Sequence, residues 1–225
     1  MLHLIIANKL YSSWSLRPWM LMTALGIPFE ETVIPMYQPD TKARMLSFGP
    51  TGKVPILVDR DVTVWESLAI IDYLADKRRV WPVWPRDTAR RGHARAIASE
   101  MHAGFQALRN ACPMNLRARF ATPALSDAVR ADIARLETIW LETRRRFGVG
   151  GPFLFGRFCA ADAMYMPVVT RLDTYQLPVS ADTRRYMDAM LTHPAFVKWR
   201  TEALAEPWTL PHYEQGHTPV EVFKA

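Results

Sequence analysis

Four short groups of residues in this sequence carry more polar chemistry than their surroundings need. The first is Tyr11-Ser12-Ser13-Trp14-Ser15-Leu16-Arg17, running from a loop into a helix. A serine ahead of a helix is an ordinary N-cap, yet three serines exceed what capping uses. Hydroxyls at the positive end of a helix dipole can stabilise an anion, a thiolate included. The second is Gly52-Lys53-Val54-Pro55-Ile56-Leu57. Proline near the start of an apolar strand gives no ladder hydrogen bond, so it fits an edge, a strand start or a cis bond. A cis Val54–Pro55 bond would leave the N–H and C=O of Val54 free to pair with an extended peptide. A simple edge strand is the alternative.

The third group is Glu66-Ser67, at a turn from strand to helix. Ser67 and the amides after it can hold a carboxylate, and Glu66 can hold an ammonium group. Together they suit an amino-acid head group, whereas either alone would be a cap. The fourth is Phe155-Gly156-Arg157-Phe158-Cys159-Ala160-Ala161-Asp162. Asp162 at the third helical position can reach back to the backbone of residue 159 and fix a helix start. That is a folding signal.

Hydrophobic periodicity supplies the elements that must position these groups. A strand is expected over His3–Ala7, then a helix beginning at Ser15, with Leu16, Met20 and Ala24 on one face. Gly26 and Pro28 should stop it. Further strands are expected over Glu31–Ile34, Val54–Val58 and Val62–Trp65, the last two joined by an Asp59-Arg60-Asp61 turn. Glu66–Asp76 reads as a helix. Residues 77–88 hold two Trp-Pro pairs and no periodicity, which sets a domain boundary there. Everything beyond is expected to be helical. Apolar stripes run through Ile97, Met101, Phe105 and Leu108, through Val129, Ile133, Leu136 and Trp140, and through Met164, Val168 and Leu172. This is a small mixed α/β domain with a helical bundle attached.

Composition narrows the partners. A chain of 225 residues can bury a core. Its start shows no basic leader, and its apolar run is too short for a signal peptide or a membrane span, so a cytoplasmic location is expected. Cys112 and Cys159 lie far apart in unlike contexts, and no Cys/His cluster has zinc spacing. Neither a disulfide framework nor a metal site is expected. The net charge of +6 comes in bursts: Lys77-Arg78-Arg79, Arg90-Arg91 and Arg144-Arg145-Arg146. Each falls near a helix end, where it would offset the negative end of the dipole or solvate a surface. Aromatic-basic interleaving is missing, so nucleic acid is not an expected partner. An anionic substrate would suit the basic surface.

Taken in order and at these distances, the four groups resemble the cytosolic glutathione transferase superfamily over nearly the whole chain. The Ser12–Arg17 segment looks like the serine-bearing loop of the zeta and tau classes. Val54-Pro55 is similar to the family's cis-proline site, Glu66-Ser67 to its γ-glutamyl-binding pair, and the Asp162 segment to its second-domain capping box. The resemblance implies an α/β thioredoxin-like N-terminal domain over residues 1–80, followed by an all-α C-terminal domain over 86–225. It implies glutathione as co-substrate, held by Lys53, Val54, Glu66 and Ser67. In such enzymes a serine hydroxyl donates to the glutathione sulfur and favours the thiolate. A free thiol has a pKa of about 8.5, so lowering it two units is about 2.7 kcal/mol. Ser12, five residues before Arg17, matches the zeta and tau position, and Ser13 the theta and delta spacing. Ser12 is the first choice.

Between the domains the resemblance implies a second-substrate pocket. Its expected walls are Trp14, Met101, Phe105 and Met114, with Gln106 facing the site and Arg17, His102 and Arg109 as polar contacts. Methionine and aromatic walls suit electrophiles of varied shape. Two departures from the family matter. Trp14 stands where the zeta loop has cysteine, and Cys159 where the capping box has serine or threonine. The expected activity is conjugation of glutathione to a small electrophile, as in detoxification, by a homodimer. The alternatives are glutathione-dependent isomerisation of a maleyl-type anion and a non-catalytic glutathione-binding or regulatory protein of this fold.

Overall fold

The computed structural model describes residues 1–77, 82–214, 216 and 218–224. The first domain begins with β1 (Leu2–Ile6), α1 (Ser13–Ala24) and β2 (Phe29–Val33). After α2 (Thr41–Leu46), β3 (Ile56–Asp59) and β4 (Val62–Trp65) form a hairpin, and α3 (Ser67–Lys77) follows. The strands make one sheet in the order β2-β1-β3-β4. β1 pairs parallel to β2 and antiparallel to β3, and β3 pairs antiparallel to β4. This is the thioredoxin-like arrangement. Leu4, Ile5 and Ile6 are fully buried, so β1 is covered on both faces.

Several boundaries shift from the sequence reading. β1 starts and ends one residue earlier, and β2 starts two earlier than Glu31. β3 begins only at Ile56, because Val54–Pro55 is a cis bond and proline cannot donate to the ladder. Helix α1 starts at Ser13 rather than Ser15, and it stops where Gly26 turns at φ +64°. The short α2 lies where the sequence pattern marks no element, since its six residues bury only Met45.

The second domain contains α4 (Thr88–Ala103), α5 (Gln106–Ala111), β5 (Ala118–Phe120), α6 (Asp127–Phe147) and α7 (Ala160–Thr174). It ends with α8 (Ala181–Leu191), α9 (Pro194–Leu204), α10 (Pro211–Glu214) and β6 (Pro219–Val222). Among the described residues it is helical apart from two isolated bridges within 153–157 and the strands β5 and β6, which pair antiparallel across about a hundred residues of chain. This corrects the expectation that everything past the boundary is helix. Each strand is too short to stand out by alternation. The stripe read from Ile97 to Leu108 also belongs to two helices, since Phe105 takes a left-handed conformation at φ +61° and breaks it. Of the boundary segment, residues 78–81 lie outside the described residues, Arg78 and Arg79 of the first basic burst among them. Arg144, Arg145 and Arg146 occupy the last turn of α6 as expected. Arg90 and Arg91 sit instead in the first turn of α4, the wrong end for the dipole. There Arg91 donates to the carbonyl of Arg86 at 2.6 Å.

Every residue of α7 is buried, and this helix packs on both α1 and α4. It therefore joins the two domains through one core. Its start is fixed by Asp162, whose carboxylate accepts from the N–H of Cys159 (2.9 Å), the N–H of Leu154 (3.0 Å) and the hydroxyl of Tyr186 (3.1 Å). Burial nevertheless raises its pKa to about 6. Cys112 and Cys159 are free thiols in the core. Among the described residues, no helix is long and apolar enough to cross a membrane.

Candidate active site

The chain leaving β1 turns through Asn8–Tyr11 into α1, and tertiary bonds fix this turn. The Lys9 carbonyl accepts from the Trp199 indole at 2.9 Å, and the Lys9 N–H donates to Glu206 at 2.7 Å. Asn8 accepts from the N–H of Met36 at 2.7 Å. The turn delivers Ser12 to the N-cap position of α1, but its hydroxyl caps nothing. It lies 2.7 Å from the hydroxyl of Ser15, and that oxygen accepts from the N–H of Ala7 at 3.1 Å. A run of three serines thus divides its labour. Ser15 ties the helix to β1, while Ser12 and Ser13, both nearly buried, border a cavity.

That cavity holds about 380 Å3 and lies between α1, the Gly52–Val54 loop and the helices α5 and α7. Ser12, Ser13, Trp14, Lys53, Val54 and Gln106 line it, as do Arg109, Met114, Arg171 and Tyr213. A second hollow of about 150 Å3 continues past Trp14 along Thr51–Pro55 to Trp65 and Glu66. Trp14, Lys53 and Val54 border both, so the two form one trough. At its far end Glu66 adopts φ +68°, a conformation uncommon for a non-glycine residue. Ser67 follows as the first residue of α3, fully buried, with a hydroxyl that has no hydrogen-bond partner. The first amides of a helix have no partner within it. Ser67 therefore stands at a ready-made place for a carboxylate.

The electrostatics on the second-domain side are one-sided. The ring centre of Trp14 is 4.0 Å from the guanidinium of Arg17 and 4.5 Å from that of Arg109. Burial, and then the charges of Arg171 and Arg109, push Arg17 well below its ordinary pKa. Arg171 falls to about 10, again through burial first and Arg109 second. His102 packs edge-on to Trp14 at 5.2 Å and stands 3.7 Å from the Glu66 carboxylate. Burial and then Arg17 lower its pKa, so the imidazole is neutral at pH 7.

Lys53, Val54, Glu66, Ser12, Ser13, Trp14 and Gln106 thus meet along one trough, with Ser67 beside it. Met101 and Phe105 do not reach it. Both are buried in the core, Met101 on the inner face of α4 and Phe105 at the left-handed turn that precedes α5. Arg17 lies behind Trp14 rather than on the wall. Sequence reasoning missed Arg171 and Tyr213. Arg171 had a signal, as a lone charge inside the apolar run Met164–Leu172. Tyr213 had none, because its placement depends on the fold of the whole second domain.

Residues 11–77 match the family described as Glutathione S-transferase, N-terminal domain. A probable maleylacetoacetate isomerase of Caenorhabditis elegans is 27% identical over 198 residues, covering 84% of this chain and 90% of that protein. A dichloromethane dehalogenase of Methylophilus leisingeri is 41% identical, but only over 83 residues, 34% of this chain and 29% of that protein. Among solved structures, a glutathione transferase homologue from Burkholderia gl BGR1 with bound glutathione superposes with a TM-score of 0.67. It is 21% identical and covers 90% of this chain and 97% of that one.

Proposed function

This chain belongs to the cytosolic glutathione S-transferase superfamily, and from that premise we propose that it binds glutathione along the trough and transfers it, as a thiolate, to a small electrophile. One observation carries the proposal. The Ser12 hydroxyl, Val54 and Glu66 lie along a single trough, and it ends beside a buried Ser67 whose hydroxyl has no partner. Glu66 takes the ammonium group of the γ-glutamyl end, and Ser67 with the α3 amides takes its carboxylate. Val54 pairs with the peptide, and Lys53 flanks it. The sulfur then comes to Ser12 at the positive end of α1. In the free protein the Ser12 hydroxyl donates to Ser15; when glutathione binds it turns to donate to the sulfur, and the Ser15 hydroxyl rotates to donate to Ser12 in its place. Serine acts as a donor here and never as the nucleophile. The protein works as a cytoplasmic homodimer in detoxification.

Calorimetric titration tests the binding half. Saturable binding of glutathione is expected, and no heat at about millimolar glutathione, well above common substrate affinities, would end the proposal.

A second reading is isomerisation of a maleyl-type anion, with glutathione adding to and leaving the same carbon. The basic wall of the cavity and the relative from Caenorhabditis elegans favour it. Trp14, in the place of the zeta-class cysteine, speaks against it. Parallel assays of conjugation, peroxide reduction and maleyl-type isomerisation, each with and without glutathione, separate the two.

A further inference from the structure

Arg109 and Arg171 line the cavity and Arg17 lies behind Trp14, and among the described residues none of them is paired with a carboxylate. Arg17 is fully buried, and its Nε and one terminal nitrogen have no hydrogen-bond partner. Arg171 is 4% exposed and lines the cavity, and its Nε is likewise unpartnered. One terminal nitrogen donates to the Pro167 carbonyl of its own helix, at 3.0 Å. Arg109, half-buried on the wall, reaches the Gly104 carbonyl at 3.4 Å. Among the described residues, none of the three has a carboxylate within ion-pair distance. The carboxylate acting on Arg17 from a distance is Glu66, which faces His102 at the other end of Trp14.

Buried guanidiniums without counter-ions are costly, and native cores rarely keep them. Stacking on Trp14 offsets only a part. By contrast, other arginines of this protein at its surface take carboxylates readily, as Arg135 does with Glu100 and Arg119 with Asp173. A group of arginines left open beside a cavity is what binding an external anion requires. Trp14, Met36, Met45, Pro113 and Met114 give the same cavity an apolar side, next to the polar side that carries Ser12, Ser13 and Lys53.

We propose that Arg109 and Arg171, backed by Arg17 behind Trp14, form a carboxylate-binding subsite for the second substrate. The electrophile taken by this protein is then an organic acid with an apolar body. This rests on the glutathione-transfer reading for its chemistry, but not for the binding of the acid. The arginines belong to α5, α7 and the buried side of α1, whereas the glutathione contacts run along Lys53–Ser67. A carboxylate held at Arg109 and Arg171 would orient the electrophilic carbon toward the sulfur at Ser12.

The probe pair is 4-chloro-3,5-dinitrobenzoate and its methyl ester. In both, the thiolate sulfur forms a bond to the ring carbon bearing chlorine. The carbon–chlorine bond breaks, and chloride leaves with the electron pair. The unreactive 3,5-dinitrobenzoate and its methyl ester report binding alone, by calorimetry without glutathione. Wild type should bind the acid about tenfold or more tighter than the ester, as a charge-assisted pair implies. Arg109→Gln should abolish most of that preference, and Arg171→Lys, which keeps the charge but loses the fork, should reduce it. The acid-to-ester ratio of kcat/KM should fall in step. A wild type that binds acid and ester alike would overturn the proposal, as would a preference that survives Arg109→Gln. It also fails if these variants weaken glutathione as much as the acid, because the arginines would then hold glutathione's own carboxylate. A wild type that takes the acid but no glutathione would remove the transfer reading and leave the subsite standing.

Discussion

Helix α7 carries an ionisable residue in its first turn and another in its last, and the protein treats them in opposite ways. Asp162 is fully buried and takes hydrogen bonds from three donors, two backbone amides and a tyrosine. Arg171 is almost as buried, yet part of its guanidinium has no partner and its neighbours are other arginines. Near the opposite end of the trough, the hydroxyl of Ser67 is also buried without a partner. A buried polar group with every bond made holds the fold together, while one with bonds unmade raises the free energy until a ligand arrives. The difference separates residues that serve folding from residues proposed to serve binding.

The largest effect should come from breaking the satisfied cluster. Asparagine has one acceptor oxygen and a donating amide, so Asp162→Asn would point donor at donor and orphan at least one N–H. We expect a loss of at least about 3 kcal/mol in urea unfolding. A loss below about 1 kcal/mol would mean that the carboxylate does not anchor the domain. Ser12→Ala comes next. It should cut turnover near neutral pH by about tenfold or more, with partial recovery as pH rises, because the helix end still favours the thiolate. Ser13→Ala should do less. Ultraviolet absorbance of bound thiolate, titrated with pH, decides the matter, and curves unchanged in both variants would refute the mechanism.

Ser67→Ala sharpens the comparison. Deleting a buried, unpartnered hydroxyl should leave the free protein as stable as before or slightly more so. The Michaelis constant for glutathione should nonetheless rise about tenfold, the worth of one charge-assisted bond. Reduced stability together with an unchanged Michaelis constant would move Ser67 into the folding class. A further effect is in pH. The Asp162 pKa is raised from 3.8 to about 6, so the folded state binds the proton more tightly than the unfolded one. Its contribution to stability is fully present below 3.8 and is lost as pH rises to about 6. Comparing wild type with Asp162→Asn over that window should show this slope in the wild type alone. Sedimentation at micromolar concentration, finally, should return about twice the chain mass for the proposed two-fold dimer.

Much of this was legible in the sequence for identifiable reasons. β4 could be placed to the residue because its alternation is bounded by a turn on one side and Glu66-Ser67 on the other. Asp162 was legible because a capping box is a local device that spans only one turn. Val54-Pro55 was legible because proline at that place leaves few alternatives. The polar wall of the cavity was less so. Arg171 appears as an odd charge in an apolar helix, but no periodicity tells that it meets Arg17 and Arg109 across two elements. Met101 and Phe105 share a stripe with Leu108, and only the turn at Phe105 decides that they serve the core rather than the cavity. Capping the helix was the simplest role for three serines, and a tertiary bond from Ala7 to Ser15 gives them another.

The turn that presents Ser12 has a further consequence, in the order of biosynthesis. Lys9, Leu10 and Tyr11 are held by Trp199, Glu206 and Glu214, and Tyr213 closes one wall of the cavity. The strands and helices that build the first domain are complete once residue 77 has been made. The corner that presents Ser12 stays unfinished until residue 214 has been made. A polypeptide released early, short of residue 199, would carry the serines, the cis proline and the Glu66-Ser67 pair without the supports that set their geometry. Such a fragment would keep the recognisable sequence of the first domain and lack the closed trough.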